Sequence, residues 1–164
     1  MEVTETAVMY GNEVLRKRAD EIEGFNNETR QLIEKMWRIM ADANGLGLAG
    51  PQIGLSNRVF VYDVGDGQHA MINPEMISSS GEESAVEGCL SIPGLQGEVT
   101  RSASITITGI DEEGKRVSIE ATGLLARVFQ HEIDHLDGTM FVDRADPDTL
   151  KTIPLDREDE TDKI

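Results

Sequence analysis

The sequence predicts an α+β fold, because two stretches of helical periodicity bracket a long run of β-textured segments. The first, from Glu28 to about Ala43, places Leu32, Met36, Ile39, Met40 and Ala43 on one apolar stripe with Trp37 beside it. The second follows Thr122 and runs to about Leu136. It carries Gln130-His131-Glu132-Ile133-Asp134-His135, in which two imidazoles four residues apart share a helix face and can close on one metal ion. Between them, Arg58 to Ala121 is rich in β-branched residues and punctuated by glycine, proline and aspartate.

Taken in order, residues 1–24 mix the short apolar stretch Ala7-Val8-Met9-Tyr10 with the charged run Arg16-Lys17-Arg18 and read as an extended arm. Asn26 or Asn27 caps the first helix and Asn44-Gly45 ends it. The next stretch, Gly45-Leu46-Gly47-Leu48-Ala49-Gly50-Pro51-Gln52-Ile53-Gly54, has the glycine spacing of a dinucleotide-binding loop. Its context excludes that reading, since a helix precedes it, a strand follows and Pro51 interrupts. Glycines also let another backbone come close, so an extended peptide lying along this segment is the better reading.

Strands are expected over Val59–Val64, Ala70–Ile72, Glu75–Ser78, Ser84–Glu87, Ser104–Ile110 and Lys115–Ala121. Turns are expected at Gly65-Asp66-Gly67, Asn73-Pro74 and Asp111-Glu112-Glu113-Gly114. Thr122 caps the second helix and Asp137-Gly138 stops it. After Phe141-Val142-Asp143 the chain turns polar, with one more helical turn allowed at Asp146-Pro147-Asp148. A flexible tail is expected from about residue 147, most of all over the charged stretch Asp156 to Lys163.

At 164 residues and 38% hydrophobic, the chain suits one buried core, so residues 1–164 are expected to form a single catalytic domain. The balance of 15 basic against 31 acidic residues, a net charge of -16, repels a phosphate backbone and argues against nucleic acid or an anionic membrane as a direct partner. No apolar run approaches the roughly 20 residues of a membrane helix. A lone Cys89 cannot form an intramolecular disulfide, and the first residues carry no secretory leader, so a cytoplasmic protein is expected.

A catalytic metal usually has three protein ligands and one open position, so His131 and His135 need a partner. A third histidine after His-x-x-Gly-x-x is one zincin solution; Gly138 is in place, but Phe141 stands where that histidine belongs. A downstream glutamate is a second, for which Glu158 or Glu160 in the charged tail are available. The third is Cys89 in Glu87-Gly88-Cys89-Leu90-Ser91, a segment read as a loop between strands. A lone cysteine is more often a small buried apolar residue, but a thiolate with two imidazoles suits zinc or ferrous iron.

Three segments together, Gly45-Leu46-Gly47-Leu48-Ala49-Gly50-Pro51-Gln52, Glu87-Gly88-Cys89-Leu90-Ser91 and Gln130-His131-Glu132-Ile133-Asp134-His135, strongly resemble the three motifs of the peptide deformylase family. The resemblance runs from about Met9 to Asp143. It implies that β-sheets pack around a central helix carrying the His-Glu-x-x-His motif, and that Cys89, His131 and His135 bind one divalent metal. Ferrous iron is the expected ion, with zinc, nickel or cobalt able to substitute. The implied substrates are N-formylmethionyl nascent peptides met near the ribosome, and the implied state is a monomer. Gly50 stands where the family often has alanine, and the last stretch lacks the apolar periodicity of the long C-terminal helix many bacterial members carry.

Glu132 adjoins both histidines and suits a general acid and base. The resemblance assigns oxyanion donors to the Gln52 amide and the Leu90 backbone N–H. Leu124, Val128, His131 and His135 fall on one helical stripe at i, i+4, i+7 and i+11, an apolar wall leading to the metal. By resemblance Leu46 and Val86 complete the methionine pocket, Gly47 and Gly88 let the substrate backbone pair, and Arg101 partners Glu87. The rival readings are a zinc endopeptidase and a deformylase-like protein with a purely structural metal.

Overall fold

A computed structural model describes residues 3–154 and 164. Two antiparallel sheets form the frame. One has the order β1 (Gly47–Ala49), β2 (Val59–Tyr62), β3 (His69–Ser80), β6 (Ser104–Asp111), β7 (Arg116–Thr122); the other is β4 (Glu83–Cys89), β5 (Ile92–Arg101), β8 (Lys151–Thr152). The helices are α1 (Asn27–Asp42), α2 (Gly123–Leu136) and the short α3 (Phe141–Arg144).

The five-stranded sheet is covered on both faces, which explains the unbroken apolar run of β2. Val59 and Val61 point with Ala70, Ile72 and Leu48 towards Ile33, Met36, Ile39 and Met40 of α1. Phe60 and Tyr62 point the other way, with Met71, Ile105 and Ile107, onto Val128, Phe129 and Ile133 of α2. Every residue of α2 from Ala126 to Leu136 is buried, as a helix enclosed by sheets must be. The smaller sheet closes the far side, where Cys89 and Val99 pack with Leu15, Met140 and Phe141.

Asn26 caps α1 through the Thr29 N–H, and Thr29 returns a bond to the Asn26 N–H, so two otherwise unpaired donors are satisfied. Thr122 takes the cap position of α2 without a side-chain bond. On α1 the buried stripe includes Ile33, while Leu32 lies partly buried at its edge.

Three sequence expectations change, and the N-terminal arm acquires its contacts. Asn73-Pro74 is no turn: β3 runs through it with a shift of register, Asn73 taking φ 51° and closing two hydrogen bonds with the Ile22 backbone. Ile92–Arg101 is a strand, although Pro93, Gly94 and Gly97 are poor strand formers, because it pairs along the whole of β4. Residues 147–152 are ordered, Pro147–Thr149 as a 3₁₀ turn and Lys151–Thr152 paired with β5; the stretch Asp156 to Lys163 lies outside the described residues. The N-terminal arm is a strap: its Thr4 and Val8 N–H groups donate to the Ile53 and Gln52 carbonyls, Tyr10 to Ser91, and Ala19 to Leu136, with a 3₁₀ turn at Glu13–Arg16 burying Leu15.

Gly50 is packed tightly rather than loosely. A Cβ there would lie 2.7 Å from the Asn57 carbonyl oxygen and 2.9 Å from that of Leu55. Gly50→Ala is therefore expected to lower the unfolding free energy by about 1–3 kcal/mol, the range for an overfilled core, in urea melts. An unchanged midpoint would show that the segment relaxes freely.

Candidate metal centre and active site

Three chain segments converge on one point. α2 brings His131 and His135, one turn apart with their rings edge to face; β4 ends at Cys89, just before a tight turn through Leu90 and Ser91; and the 3₁₀ turn Gly50–Ile53 brings Gln52. The Cys89 Sγ and one ring nitrogen from each histidine lie within 4.8 Å of one another. The two Nε2 atoms are 3.2 Å apart, and His135 Nε2 is 3.4 Å from Sγ.

The spacing and chemistry fit a metal ion. His131 Nδ1 meets a Glu87 carboxylate oxygen at 2.8 Å, which makes Nδ1 the protonated nitrogen and leaves the Nε2 lone pair aimed at His135 and Cys89. Burial, reinforced by His131, holds His135 well below its ordinary pKa, so its ring is neutral. Burial pushes the Cys89 thiol up to about 12, against the pull of the Ser91 N–H and helped by the Glu132 charge. Two imidazole lone pairs and a thiol sulfur facing one another lack only a cation, and tetrahedral zinc would place such ligand atoms about 3.3–3.6 Å apart. Coordination deprotonates such a thiol outright.

Glu132 is fully buried beside this cluster, and neither of its carboxylate oxygens has a hydrogen-bond partner among the described residues. Burial raises its pKa well above the ordinary carboxylate value, with the Arg101 charge opposing and Glu87 and Asp134 adding to the rise. Gly47 makes the space: a Cβ there would come within 3.0 Å of the Glu132 carboxyl. Gln52 is fixed in orientation, its Oε1 accepting from the Ala49 N–H at 2.9 Å while its NH₂ donates to Ser91 Oγ at 3.1 Å and approaches Cys89 Sγ at 3.6 Å. Leu90 is buried in the turn beyond Cys89, its side chain against Gly45.

The remaining expected residues divide. Val128 is wholly buried in the core beneath α2, whereas Val86 and Leu124 are exposed apolar side chains at 59% and 43%. Leu46 packs on the same core from just before β1. Gly47 and Gly88 sit on β1 and β4, each the outermost strand of its sheet. Phe141, where another motif would require histidine, instead stacks on the His131 ring with centroids 6.3 Å apart. Glu158 and Glu160 lie outside the described residues.

Beneath the cluster lies a buried charge network that sequence reasoning saw only in part. Arg101 meets Glu87 at 2.6 and 2.9 Å, as the resemblance implied. Arg127 adds a third contact at 2.6 Å, and Asp134 joins Arg101 at 2.9 Å and Arg144 at 2.6 and 2.9 Å. The one available signal for Arg127 was its place four residues before His131, on the helix face that also carries Gln130 and Asp134.

A buried helix bearing two histidines and a glutamate, joined by a thiol from an adjoining sheet, has the architecture of a metal-dependent amide hydrolase. Residues 5–151 match the family model for polypeptide deformylase. Among curated relatives, the peptide deformylase of Carboxydothermus hydrogenoformans is 50% identical over 139 residues, covering 85% of this chain and 91% of the relative. That of Pelotomaculum thermopropionicum is 49% identical over 138 residues, covering 84% and 89%. The crystal structure of the Thermotoga maritima peptide deformylase superposes with a TM-score of 0.85 at 43% identity, covering 88% of this chain and 99% of that one. The Synechococcus elongatus enzyme in complex with actinonin gives 0.83 at 39% identity, covering 85% and 78%. The chain belongs to the peptide deformylase family, whose metal-dependent members remove the N-formyl group from nascent polypeptides.

Burial raises the Glu87 pKa, but the hydrogen bonds from Arg101 and His131 outweigh it and hold the carboxyl far below its ordinary 4.5. A group whose pKa is lowered by folding contributes stability that is complete above its unfolded value and fades as pH falls below it. Glu87→Gln, which removes one partner of a buried ion network, is expected to cost about 3–5 kcal/mol at pH 7. The gap between parent and variant in denaturant melts should narrow progressively below about pH 4.5. A gap that stays constant down to pH 3 would mean Glu87 is not the ionised member.

Proposed function

We propose that Cys89, His131 and His135 hold one divalent metal ion and that this chain deformylates N-formylmethionyl nascent peptides with the residues gathered around it. The observation that carries the reading is the convergence of three buried ligand atoms with a carboxyl at their side that has no partner among the described residues. Ferrous iron is the proposed ion in the cell, with zinc, nickel or cobalt as working substitutes, since a thiolate and two imidazoles suit all four. The chemistry supplied by a bound divalent ion is Lewis acidity towards water and the formyl carbonyl.

The chain's own residues do the rest. Glu132, without a hydrogen-bond partner among the described residues and held against Gly47, takes the proton from the attacking water and delivers it to the departing amine nitrogen. Its raised pKa favours holding that proton between the two steps. The Gln52 amide, oriented by the Ala49 N–H, and the Leu90 backbone N–H donate to the oxyanion as the carbonyl becomes tetrahedral.

The substrate backbone pairs with the outer edges of β1 and β4 at Gly47 and Gly88, as a strand added to a sheet edge. Leu46, Val86, Leu124 and Val128 receive the methionine side chain. Support for an apolar guest beside β4 comes from the chain itself: buried Ile164 donates its N–H to the Gly88 carbonyl at 3.4 Å and joins the cluster containing Val128. No described helix is long and apolar enough to cross a membrane. We place the protein in the cytoplasm as a monomer working close to the ribosome.

Formate release from a formyl-Met peptide by the nickel-loaded protein is the direct test, with Glu132→Gln as its companion. The variant should keep its metal while turnover falls by about 10²–10⁴, the range for general acid–base catalysis. Deformylation within a few-fold of the parent would remove Glu132 from the mechanism. Cleavage of an internal bond in an unformylated peptide, without formate release, would favour the endopeptidase reading.

A further inference from the structure

The metal ligands come from two separate bodies, since α2 packs against the five-stranded sheet while Cys89 ends β4 of the smaller one. Something must hold those bodies in register near the ligands. Taking Cys89, His131 and His135 as the ligands, we propose that Arg127 is a positioning residue that sets the separation between Cys89 and the two histidines, and thereby the affinity and geometry of the metal site.

Arg127 lies one helical turn before His131, and its side chain is only 7% exposed. Its Nη1 donates to Glu87 Oε2 at 2.6 Å and to the Val99 carbonyl at 2.9 Å, and its Nη2 donates to the Glu83 carbonyl at 2.7 Å. One side chain of α2 thus grips the backbone of β4, the backbone of β5 and the carboxylate of Glu87. Glu87 stands two residues before Cys89 on β4, and its other oxygen meets His131 Nδ1 at 2.8 Å. Arg127 and His131, one turn apart, therefore hold the two oxygens of one carboxylate, and that carboxylate is joined to the thiol by a single intervening residue.

Among the described residues, the other side chain of α2 that meets β4 is His131, a ligand itself. Arg101 belongs to β5 and reaches α2 at Asp134, close to His135. Gln130 reaches the Ser102 backbone, beyond the end of β5. Without Arg127 the helix keeps its ties past His131, but its side-chain hold on β4 among the described residues reduces to the bond between the ligand His131 and Glu87. The planar guanidinium matters as well as the charge, because three acceptors are met in one fork, a geometry lysine cannot reproduce.

The test measures zinc affinity by competition with a chelator for the parent, Arg127→Ala, Arg127→Lys and Arg144→Ala holoproteins, with the visible absorption of the cobalt forms recorded alongside. Arg127→Ala should bind zinc about 10–100-fold more weakly, the usual cost of losing a group that orients a ligand. Its cobalt bands should shift, and Arg127→Lys should fall between it and the parent. Arg144→Ala, which removes a cation that meets Asp134 but not Glu87, should stay near the parent. A folded Arg127→Ala protein with parental affinity and parental cobalt spectrum would overturn the proposal, as would an equal loss in Arg144→Ala. If Arg127→Ala does not fold, Arg127→Lys decides: weakened zinc binding with shifted cobalt bands supports positioning, and parental values overturn it. The ratio of variant to parent tests Arg127, whereas the parent's own zinc affinity and formate release test the metal-site reading beneath it.

Discussion

The buried carboxylate of Glu87 is the constraint on which the rest of the site depends. It lies 1% exposed between the two sheets and is met by His131 from α2, Arg101 from β5 and Arg127 from α2. A charge in such a place is tolerable only when fully paired, so the three partners must arrive together, and they arrive from elements far apart in sequence. Net stability is a poor reason for such a network, because desolvating the charges costs about as much as their attraction returns. What it supplies is placement. With Glu87 held, the His131 tautomer is settled and β4 is fixed alongside α2, which brings Cys89 to the histidines.

The contrast with Glu132 is instructive. Glu87 and Glu132 are both buried acids within the same few residues of space, yet the first is saturated with donors and the second has none among the described residues. Environment therefore drives their pKa values apart: Arg101 and His131 hold Glu87 ionised despite its burial, and burial favours a proton on Glu132. Two carboxyls with opposite protonation preferences are the usual arrangement where one acid orients and the other moves protons. Leaving a buried polar group without partners destabilises a fold, and such a cost is usually found where function requires it.

Much of this was legible in the chain because its signals were local. The helix periods, the Asn26 cap, the Asp111–Gly114 turn and the four-residue spacing of the histidines all depend on neighbours in sequence, and each appears in the fold. What was illegible depends on distant partners. Ile92–Arg101 has a proline and two glycines in its first six residues and becomes a strand only because β4 lies beside it. Asn73-Pro74 carries turn chemistry but is spent as a bulge, its side chain pairing with Ile22 across 51 positions. Arg127 is an ordinary helix former by composition, and its role becomes visible only when Glu83, Glu87 and Val99 are placed around it.

That Cys89, though far from the histidines in sequence, completes the metal site is the central claim. X-ray absorption at the metal edge of the zinc-loaded protein addresses it without relying on turnover. The account predicts one sulfur scatterer at about 2.3 Å together with nitrogen or oxygen scatterers at about 2.0–2.2 Å. It also predicts that the sulfur shell disappears in Cys89→Ser. A shell made of nitrogen and oxygen alone in the parent protein would contradict it.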